Sequence, residues 1–335
     1  MTLRNSFIAI IVLIIIISCS HNRLEVDASN IKVNIAYTDM DDMIFNSDSI
    51  ILMEKHYKFK SEIKDIYDYQ VGYCLRIGDV DDTSFYNSID KYRSDSGIQQ
   101  LELDIRSHFL DLSNREEIIE NGFRHLKYHF PNGKQPTDII FLNSLFRSGV
   151  WCTENEIGVG LEWFLGGSNR IIQELDPQTF FTWMKEGMND RYFERDVIAG
   201  WVETHYLDPA EGRLAEHMIR WGKVLYLTQA AYPSFSPSVI LRYSEEDYQW
   251  ALENEFNYWK YLVDEKLLFK VDEQTTNNMV GEGPFTPGLP GQEGPDRLGQ
   301  FLGYRMVYNY MCNNEITVEE MLKLSYNDIL QAFKI

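Results

Sequence analysis

Residues 156–168 read EIGVGLEWFLGGS, and this stretch decides the fold. Its larger apolar side chains alternate with other residues: Ile157, Val159, Leu161 and Trp163. A period of two residues is typical of a β-strand, so we predict a strand from Glu156 to Phe164. Gly158 and Gly160 fall on the opposite face, where glycines often mark the close approach of another chain segment. The glycine-rich end of the stretch stops the strand.

The rest of the chain supplies a few further strands and many helices. Alternating apolar residues predict strands at Ile31–Tyr37 and Asp138–Phe146. Helical spacing of apolar residues covers three longer regions: 48–78, 98–130 and 176–335. The last region is interrupted at Tyr232–Pro237 and by a loop rich in glycine and proline at Gly281–Pro295. The sequence therefore predicts an α+β fold in which a small sheet lies on a large, mostly helical body.

The first nineteen residues have the pattern of an export signal. Arg4 provides a positive charge, and residues 7–17 form an uncharged run of eleven apolar residues. This run is too short for a membrane-spanning helix, which needs roughly 20 residues, but it suits the core of a signal peptide. A small residue and a cysteine follow, Ser18 and Cys19, in the pattern that lipoprotein signal peptidase cleaves. We predict cleavage before Cys19 and acylation of that residue, which would anchor the chain to a membrane.

The predicted organisation is a signal peptide at 1–18, a lipidated polar tether at 19–30 and a single periplasmic domain at 31–335. The alternative is an ordinary membrane anchor with an incidental cysteine. Such an anchor usually carries clustered positive charge on one flank, whereas each flank here has a single arginine, Arg4 or Arg23. Neither an aspartate for retention in the inner membrane nor an acidic signal for surface export follows the cysteine. We therefore expect attachment to the outer membrane on its periplasmic side.

The composition excludes some classes of partner and limits cysteine chemistry. A formal net charge of −20 at pH 7 would repel nucleic acids and anionic lipid head groups. With 335 residues the chain can bury a large core. Once Cys19 is acylated, Cys74, Cys152 and Cys312 remain, with no CxxC spacing and with at most one disulfide among them. Their apolar and aromatic neighbours favour buried free thiols.

Two acidic segments are candidate calcium sites, because Ca²⁺ prefers oxygen ligands. The segment Asp39–Asp42 follows the first predicted strand but lacks the glycine turn and distal glutamate of an EF-hand loop. A solvated loop or a helix cap is the preferred interpretation. The segment Gly78–Ser84 is similar, and there Asp82 or Thr83 is expected to cap the next helix.

Aromatic residues crowd one predicted helix near the C-terminal end: Trp250, Phe256, Tyr258, Trp259 and Tyr261. Phe256 and Trp259 are three residues apart and therefore share a helical face. Such a pair fills a hydrophobic core more often than a ligand-binding slot. The sequence contains no nucleophile elbow, phosphate-binding loop or Ser-His-Asp triad motif.

Five blocks of sequence carry a family resemblance: Tyr128–Asn132, Ile157–Gly166, Met218–Leu227, Gly283–Thr286 and Pro295–Tyr304. In this order, and behind a lipidation signal, they resemble the signature blocks of the gliding motility lipoprotein GldB family of Bacteroidetes. The similar layout around the blocks extends the resemblance to nearly all of the mature chain. It implies a periplasm-facing lipoprotein that is needed for gliding and is linked to the type IX secretion machinery. Members also occur in organisms that do not glide, and the resemblance implies no cofactor.

A weaker resemblance connects the same regions to putative zinc proteases of the gluzincin type. Their edge strand, His-Glu-x-x-His helix and glutamate-bearing helix would correspond to three segments: Glu156–Leu165, Asp196–His205 and Leu214–Leu227. The His-Glu-x-x-His motif, which binds Zn²⁺ and supplies a general base, is absent from this sequence. Its nearest remnants are Glu203 and His205, which point to nearly opposite sides of a helix. Glu216 matches the third-ligand glutamate. The resemblance thus implies a degenerate peptidase fold that has lost its metal.

The only histidine pair with the required spacing lies elsewhere, at His125 and His129. No glutamate follows the first histidine, and the neighbouring Arg124 and Lys127 would repel a dication. A structural or surface role for this pair is the preferred interpretation.

Two hypotheses about function remain. The first is a non-enzymatic lipoprotein without metal or cofactor, which binds protein partners in the gliding and secretion apparatus. In that hypothesis the strand with Gly158 and Gly160 offers an open edge to an extended partner segment, and Glu203, His205 and Glu216 are vestigial. The second is a metal-dependent peptidase, or another hydrolase, with unorthodox ligands. The missing zinc motif favours the first.

Overall fold

The structure is a computed structural model that describes residues 22–79, 81–288 and 294–334. The predicted signal peptide at 1–18 and the acylation site Cys19 lie outside the described residues. Within those ranges, no helix is long and apolar enough to cross a membrane.

The sheet has four short strands: β1 (Ala36–Asp39), β2 (Asp138–Leu142), β3 (Val150–Cys152) and β4 (Glu156–Gly160). Their order in the sheet is β1-β2-β4-β3, with β1, β2 and β4 parallel and β3 antiparallel at the edge. Together with the many helices around it, this small mixed sheet confirms the predicted α+β fold.

The predicted strands differ from the observed ones in several details, and β2 ends at Leu142 rather than at Phe146. The first strand begins at Ala36 rather than at Ile31, and β4 ends at Gly160 and continues as a 3₁₀-helix at Leu161–Phe164. The strand β3 was not predicted, because three residues are too few to display a period of two. The expected open edge of β4 does not exist, since β2 pairs with one side of it and β3 with the other.

The first half of the chain provides six helices and one π-helical turn: α1 (Met40–Asn46), α2 (Ser49–Glu62), α3 (Lys64–Asp68), the π-helix (Tyr69–Cys74), α4 (Phe85–Ser94), α5 (Ser96–His108) and α6 (Ser113–His129). The carboxylate of Asp39 accepts a hydrogen bond from the amide of Asp42 at the start of α1, so the predicted cap is confirmed. The helix cap predicted at Asp82 or Thr83 is wrong, because the N-cap of α4 is Ser84, without a side-chain cap.

The second half is helical, as predicted: α7 (Arg170–Glu174), α8 (Thr182–Gly187), α9 (Phe193–His205), α10 (Leu214–Ala231), α11 (Pro237–Leu241), α12 (Glu245–Glu253), α13 (Glu255–Asp264), α14 (Glu273–Val280), α15 (Leu298–Asn313), α16 (Val318–Lys323) and α17 (Tyr326–Ala332). The crowded aromatic helix is in fact two helices, α12 and α13. Phe256 is 57% exposed, so its predicted core role is wrong, whereas the ring of Trp259 packs on that of Phe333.

The sheet separates two hydrophobic cores. On one face, the side chains of Ile139, Phe141, Ile157 and Val159 join the core of the helical body, which we define as α5–α17. On the other face, Ile140 and Leu142 join a smaller core with residues of α1–α4 and the π-helix, which we call the N-terminal layer. Every second strand residue thus points to the same layer, as the pleat of a strand requires.

The two longest helices of the body's C-terminal half, α10 and α15, cross with their backbones in contact. A Cβ atom on Gly303 would overlap the carbonyl oxygen of Met218, and one on Gly222 would overlap the carbonyl of Gly303. These two glycines therefore set the distance between the helices, because no larger residue fits at the crossing.

Residues 22–29, which we call the arm, precede the first strand and have no regular secondary structure. They were predicted to be part of a polar tether. Leu24 and Ala28 are nevertheless buried, with only 3% and 2% of their surface exposed. The arm is therefore packed on the domain rather than free of it.

Candidate functional site

The glycine face of β4 is filled rather than open. Gly158 lies opposite Trp151 of β3, and a Cβ atom on Gly158 would overlap the Trp151 indole ring. A Cβ atom on Gly160 would overlap the carbonyl oxygen of Ser148. The predicted close approach is confirmed, but the approaching segment belongs to this chain.

The three residues compared with a zinc site in the sequence, Glu203, His205 and Glu216, do not come together as a site. Glu203 forms an ion pair with Arg220 of α10, with 3.1 Å between Oε1 and Nη1. The His205 ring stacks on Trp201 and its Nε2 lies 2.9 Å from the carbonyl oxygen of Thr153, which ties α9 to the turn between β3 and β4. Glu216 lies half-buried in the first turn of α10. Among the described residues, no group of three or more His, Cys, Asp or Glu side chains is arranged to hold a metal ion.

Neither histidine of the pair on α6 belongs to a metal-holding group among the described residues. The Nδ1 atom of His125 lies 2.9 Å from the carbonyl oxygen of Asn121, within its own helix. Burial lowers the pKa of His129 to about 4, so that this ring is neutral at physiological pH. The carboxylates of the second acidic segment form ion pairs with a lysine of this chain. Asp79 and Asp81 both bind the Lys60 ammonium group, each at 2.6 Å.

All three cysteines in the described ranges are free thiols. Cys74 is buried, as predicted, and Cys152 is half-buried. Burial raises the pKa of each to about 12, which keeps both thiols protonated. Cys312 is exposed, so the prediction of a buried thiol is wrong at that position.

Sequence reasoning missed a cavity of about 360 Å³ on the helical body, which we call the arginine cleft. Three arginines, four carboxylates and several aromatic side chains line it: Trp163, Trp183, Glu186, Arg191, Tyr192, Arg242, Tyr243, Asp247, Glu282, Asp296 and Arg297. The segments that supply them are short helices, helix ends and turns, which lie between Trp163 and Arg297 in the chain. No spacing rule connects such distant turns, so only the fold reveals the cleft.

Local backbone geometry presents two of these arginines. Arg242 ends α11 and Arg297 precedes α15, and both have left-handed backbones, with φ of 55° and 51°. Non-glycine residues are uncommon in this region and cluster where the surrounding structure constrains them. Both turns are also held by side-chain bonds, since the Arg297 guanidinium donates to the carbonyl of Arg242 and the Arg242 guanidinium to that of Gly187.

The guanidinium groups stack on tyrosine rings. Those of Arg191 and Arg242 lie 5.0 Å and 5.1 Å from the centroid of the Tyr192 ring, and that of Arg297 lies 5.7 Å from the Tyr243 ring. Cation–π contacts of this length are favourable. Two guanidinium groups near one ring concentrate positive charge there, which favours an anion nearby.

The carboxylates near the cleft pair closely with some of its arginines and only loosely, or not at all, with others. Asp296 binds the Arg297 Nε at 2.9 Å, and Asp196 lies 3.4 Å from Arg242. Glu282 lies 3.8 Å from both Arg242 and Arg297, beyond hydrogen-bond length, and its side chain is 58% exposed. Within the described ranges, Arg191 pairs with no carboxylate. The cleft can therefore offer guanidinium donors and aromatic faces to a carboxylate from outside.

A second polar cluster lies at the carboxyl ends of the parallel strands, where α/β sheets often bind ligands. Glu162 is fully buried there. Its Oε1 accepts hydrogen bonds from the backbone amides of Ser144 and Phe146, at 3.0 and 2.9 Å, and from the Ser144 hydroxyl. These bonds hold a turn in which Leu145 and Phe146 both have positive φ. Desolvation raises the pKa of Glu162 to about 7.

Asp41 is the least satisfied member of this cluster. It is fully buried, and neither carboxyl oxygen has a hydrogen-bond partner among the described residues. Burial, followed by the nearby carboxylate of Glu102, raises the pKa of Asp41 well above its usual range, which favours the protonated form of this carboxyl group. The buried hydroxyl of Tyr92 also lacks a partner in the described part of the chain. The cluster is enclosed, in contrast to the arginine cleft.

The family described as gliding motility protein GldB matches residues 21–334 of the chain, and no family match supports the zinc protease resemblance. Three of the five blocks that carry the resemblance supply residues to the arginine cleft: Trp163 from the second block, Gly283 and Pro284 from the fourth, and Pro295–Arg297 from the fifth. No curated protein and no solved structure matches the chain.

Proposed function

The chain belongs to the gliding motility protein GldB family, and from that membership we propose that it is a periplasm-facing outer-membrane lipoprotein that acts without catalysis. Its role is to bind a protein partner in the gliding and type IX secretion apparatus. The match covers the whole described chain, which supports a role for the complete domain. The observation that carries partner binding is the arginine cleft.

The anchor is supported by the sequence before the domain. The apolar run at 7–17 and the Ser18-Cys19 pair fit lipoprotein processing. We expect Cys19→Ala to leave an unprocessed precursor, because the thiol accepts the first lipid. Mass spectrometry of the N-terminal peptide measures the acylation. Maturation of the variant to the normal size, with retention in the membrane fraction, would contradict the proposal.

The side of the membrane needs a separate measurement. Protease added to intact cells should leave the protein undigested, whereas protease added after the outer membrane is opened should digest it. Digestion in intact cells would place the protein on the cell surface instead.

The cleft suits a carboxylate from an acidic side chain or from the C-terminus of the partner. Arg191 is exposed and has no carboxylate partner in the described residues, so its charge is available. The Glu282 carboxylate is too far from the guanidinium groups of Arg242 and Arg297 for a hydrogen bond. We expect a carboxylate of the partner to approach these two arginines more closely than Glu282 does. Planar bidentate pairs between arginine and carboxylate are stronger than such long ion pairs.

We expect Arg191→Glu to abolish gliding in a deletion strain that expresses the variant, because it reverses the charge that meets the partner. Arg170→Glu is the matched control, since Arg170 is 75% exposed and lies outside the cleft. Protein abundance is measured by immunoblot. A photo-crosslinking amino acid at Trp183, in the cleft wall, should capture a partner only when Arg191 is intact. Normal gliding and crosslinking by Arg191→Glu would contradict partner binding in the cleft.

The competing hydrolase hypothesis makes a different prediction. If the domain is non-enzymatic, the purified mature chain should contain no stoichiometric zinc and should lack peptidase activity with zinc added. Stoichiometric zinc in the purified protein would favour the metal-dependent peptidase.

A further inference from the structure

Arg23 makes the largest set of hydrogen bonds between the arm and the domain. The Arg23 guanidinium donates hydrogen bonds to the carbonyl oxygens of Met311, Asn314 and Ile316, at 2.6, 2.8 and 2.9 Å. These carbonyls lie at and just beyond the C-terminal end of α15, where backbone acceptors have no partner within the helix. A cation at this position also interacts favourably with the helix dipole. Arg23 therefore caps α15 and fixes the arm to its C-terminal end.

An open groove of about 630 Å³ lies beside the clamp, and we call it the anchor groove. Its apolar lining comes from the arm, from α6, α10 and α15, and from the segment after α15: Leu24, Val26, Tyr128, Tyr226, Met311 and Ile316. Tyr128, at the groove, and Tyr308, on the same end of α15, are 48% and 41% exposed. Exposed tyrosines beside an apolar surface are typical of a membrane–water interface.

The distance to the lipid follows from the length of chain before the arm. Asn22 is the first described residue and lies three residues after Cys19. Three residues span at most about 10 Å. The Cα atom of Cys19 therefore lies within about 10 Å of Asn22, so the lipid attachment point stays close to the docked arm.

We propose that the anchor groove, with Tyr128 in its lining and the exposed Tyr308 beside Cys312 at its edge, rests on the bilayer that holds Cys19, and that the clamped arm fixes the orientation of the domain. This inference rests on the proposed acylation of Cys19. The occupant of the groove is the lipid surface itself. Arg23 is the only arginine or lysine in the described lining of the groove, so the contact relies on apolar and tyrosine side chains and does not require anionic lipid.

The same geometry places the arginine cleft away from the membrane. Arg297, in the cleft, precedes the first residue of α15, and Arg23 binds at the other end of that helix. A helix of sixteen residues is about 24 Å long. The helix α15 thus acts as a rigid spacer that holds the cleft toward the aqueous compartment, where a protein partner can reach it.

The test attaches the lipid chemically, so that its outcome does not depend on acylation in the cell. The mature chain with Cys312→Ser is coupled through Cys19 to a maleimide phospholipid in phosphatidylcholine vesicles that contain nitroxide-labelled lipid. A fluorescent amino acid replaces Tyr308 in one sample and Trp183 in another. We expect severalfold stronger quenching at position 308 than at position 183. Equal quenching at the two positions would overturn the proposal.

Arg23→Ala tests the clamp. It should release the arm and remove most of the difference in quenching, whereas Lys32→Ala, which removes an exposed cation just after the arm, should preserve it. If Arg23→Ala is too unstable to measure, Tyr128→Asp changes only the exposed face and should lower the quenching at position 308. An unchanged difference in both variants would overturn the proposal.

Two further outcomes identify other occupants. If the lipid-coupled protein stays monomeric without vesicles and the position-308 probe is shielded there, the groove holds the chain's own acyl group and the proposal is wrong. If mass spectrometry finds no acyl group on Cys19 from cells while the quenching difference is present, the lipoprotein assignment fails but the groove's affinity for a bilayer stands.

Discussion

The two faces of the sheet are packed in different ways. The face toward the helical body is apolar, and Ile139, Phe141, Ile157 and Val159 are essentially inaccessible to solvent. The face toward the N-terminal layer has Gly158 and Gly160 under the Trp151 ring and the turn after β2. Beside it, at the strand ends, lie the buried carboxyl groups of Asp41 and Glu162.

The two faces of the sheet contribute differently to the free energy of folding. Apolar burial on the body side is the main favourable contribution to folding. On the other side, each buried polar atom without a partner costs about 1–3 kcal/mol. Those groups persist where Glu162 holds the two left-handed residues Leu145 and Phe146. The body therefore supplies stability, and the N-terminal side uses some of it to hold a strained turn.

The largest effect is expected in the helical body. Gly303→Ala places a methyl group on the carbonyl of Met218, where only backbone movement can relieve the overlap. We expect a loss of about 3 kcal/mol or more in the free energy of unfolding, measured by urea denaturation. Gly72→Ala is the control, because a Cβ atom added at Gly72 would have no neighbouring atom within 4 Å. A Gly303→Ala protein as stable as the parent would show that the helices do not cross in this way.

The sheet should respond less strongly. Gly158→Val overlaps the Trp151 indole, a side chain that can move. We expect a loss of about 1–3 kcal/mol. The same substitution made in a Trp151→Ala background should cost clearly less, because the ring is then absent. Equal costs in both backgrounds would mean that Trp151 is not the obstacle.

The part of the fold that the sequence predicted follows from local periodicity. The alternation at Ile157 and Val159 identifies β4 without reference to any other segment. The three-residue β3 has too little periodicity to be seen, and so the sequence left β4 with a false open edge. A glycine face looks empty in a sequence, since nothing local tells that the Trp151 ring covers Gly158.

The site was harder to predict for a different reason. Arg191, Arg242 and Arg297 meet only because three turns of the helical body come together. The sequence predicts Glu203 and His205 as candidates because they lie close together on one helix. In the structure Glu203 binds Arg220, and His205 binds the turn before β4. Local patterns find strands and helix ends, whereas sites built from distant turns require the tertiary structure.

The polar side of the sheet should make stability depend on pH. The folded-state pKa of Glu162 is raised from 4.5 to about 7, so the folded chain binds more protons than the unfolded chain between these values. The contribution of Glu162 therefore becomes less favourable as pH rises from about 4.5 to about 7, by about 3 kcal/mol at most. Asp41 acts in the same direction.

Glu162→Gln isolates this contribution. His56 and His129 have pKa values lowered to about 4 and act in the opposite direction, since their contribution is lost as pH falls from 6.5. They are unchanged in the variant, so the difference between the two proteins reports Glu162 alone. We expect the variant to gain stability relative to the parent as pH rises from 5 to 8, measured by urea denaturation at each pH. A constant difference over that range would contradict the raised pKa.

The smallest effect is expected at Glu216, on the outer part of the helical body. Its side chain makes no hydrogen bond or ion pair within the described residues, so Glu216→Gln should change the free energy of unfolding by less than about 0.5 kcal/mol. Glu203→Gln is the informative comparison, because it also removes one carboxylate charge but breaks the ion pair with Arg220. If the domain binds a partner through the arginine cleft, a strain with Glu216→Gln should glide normally. A variant with normal abundance and folding that is as inactive as the deletion would instead give Glu216 a chemical role, and would favour the hydrolase over the partner-binding protein.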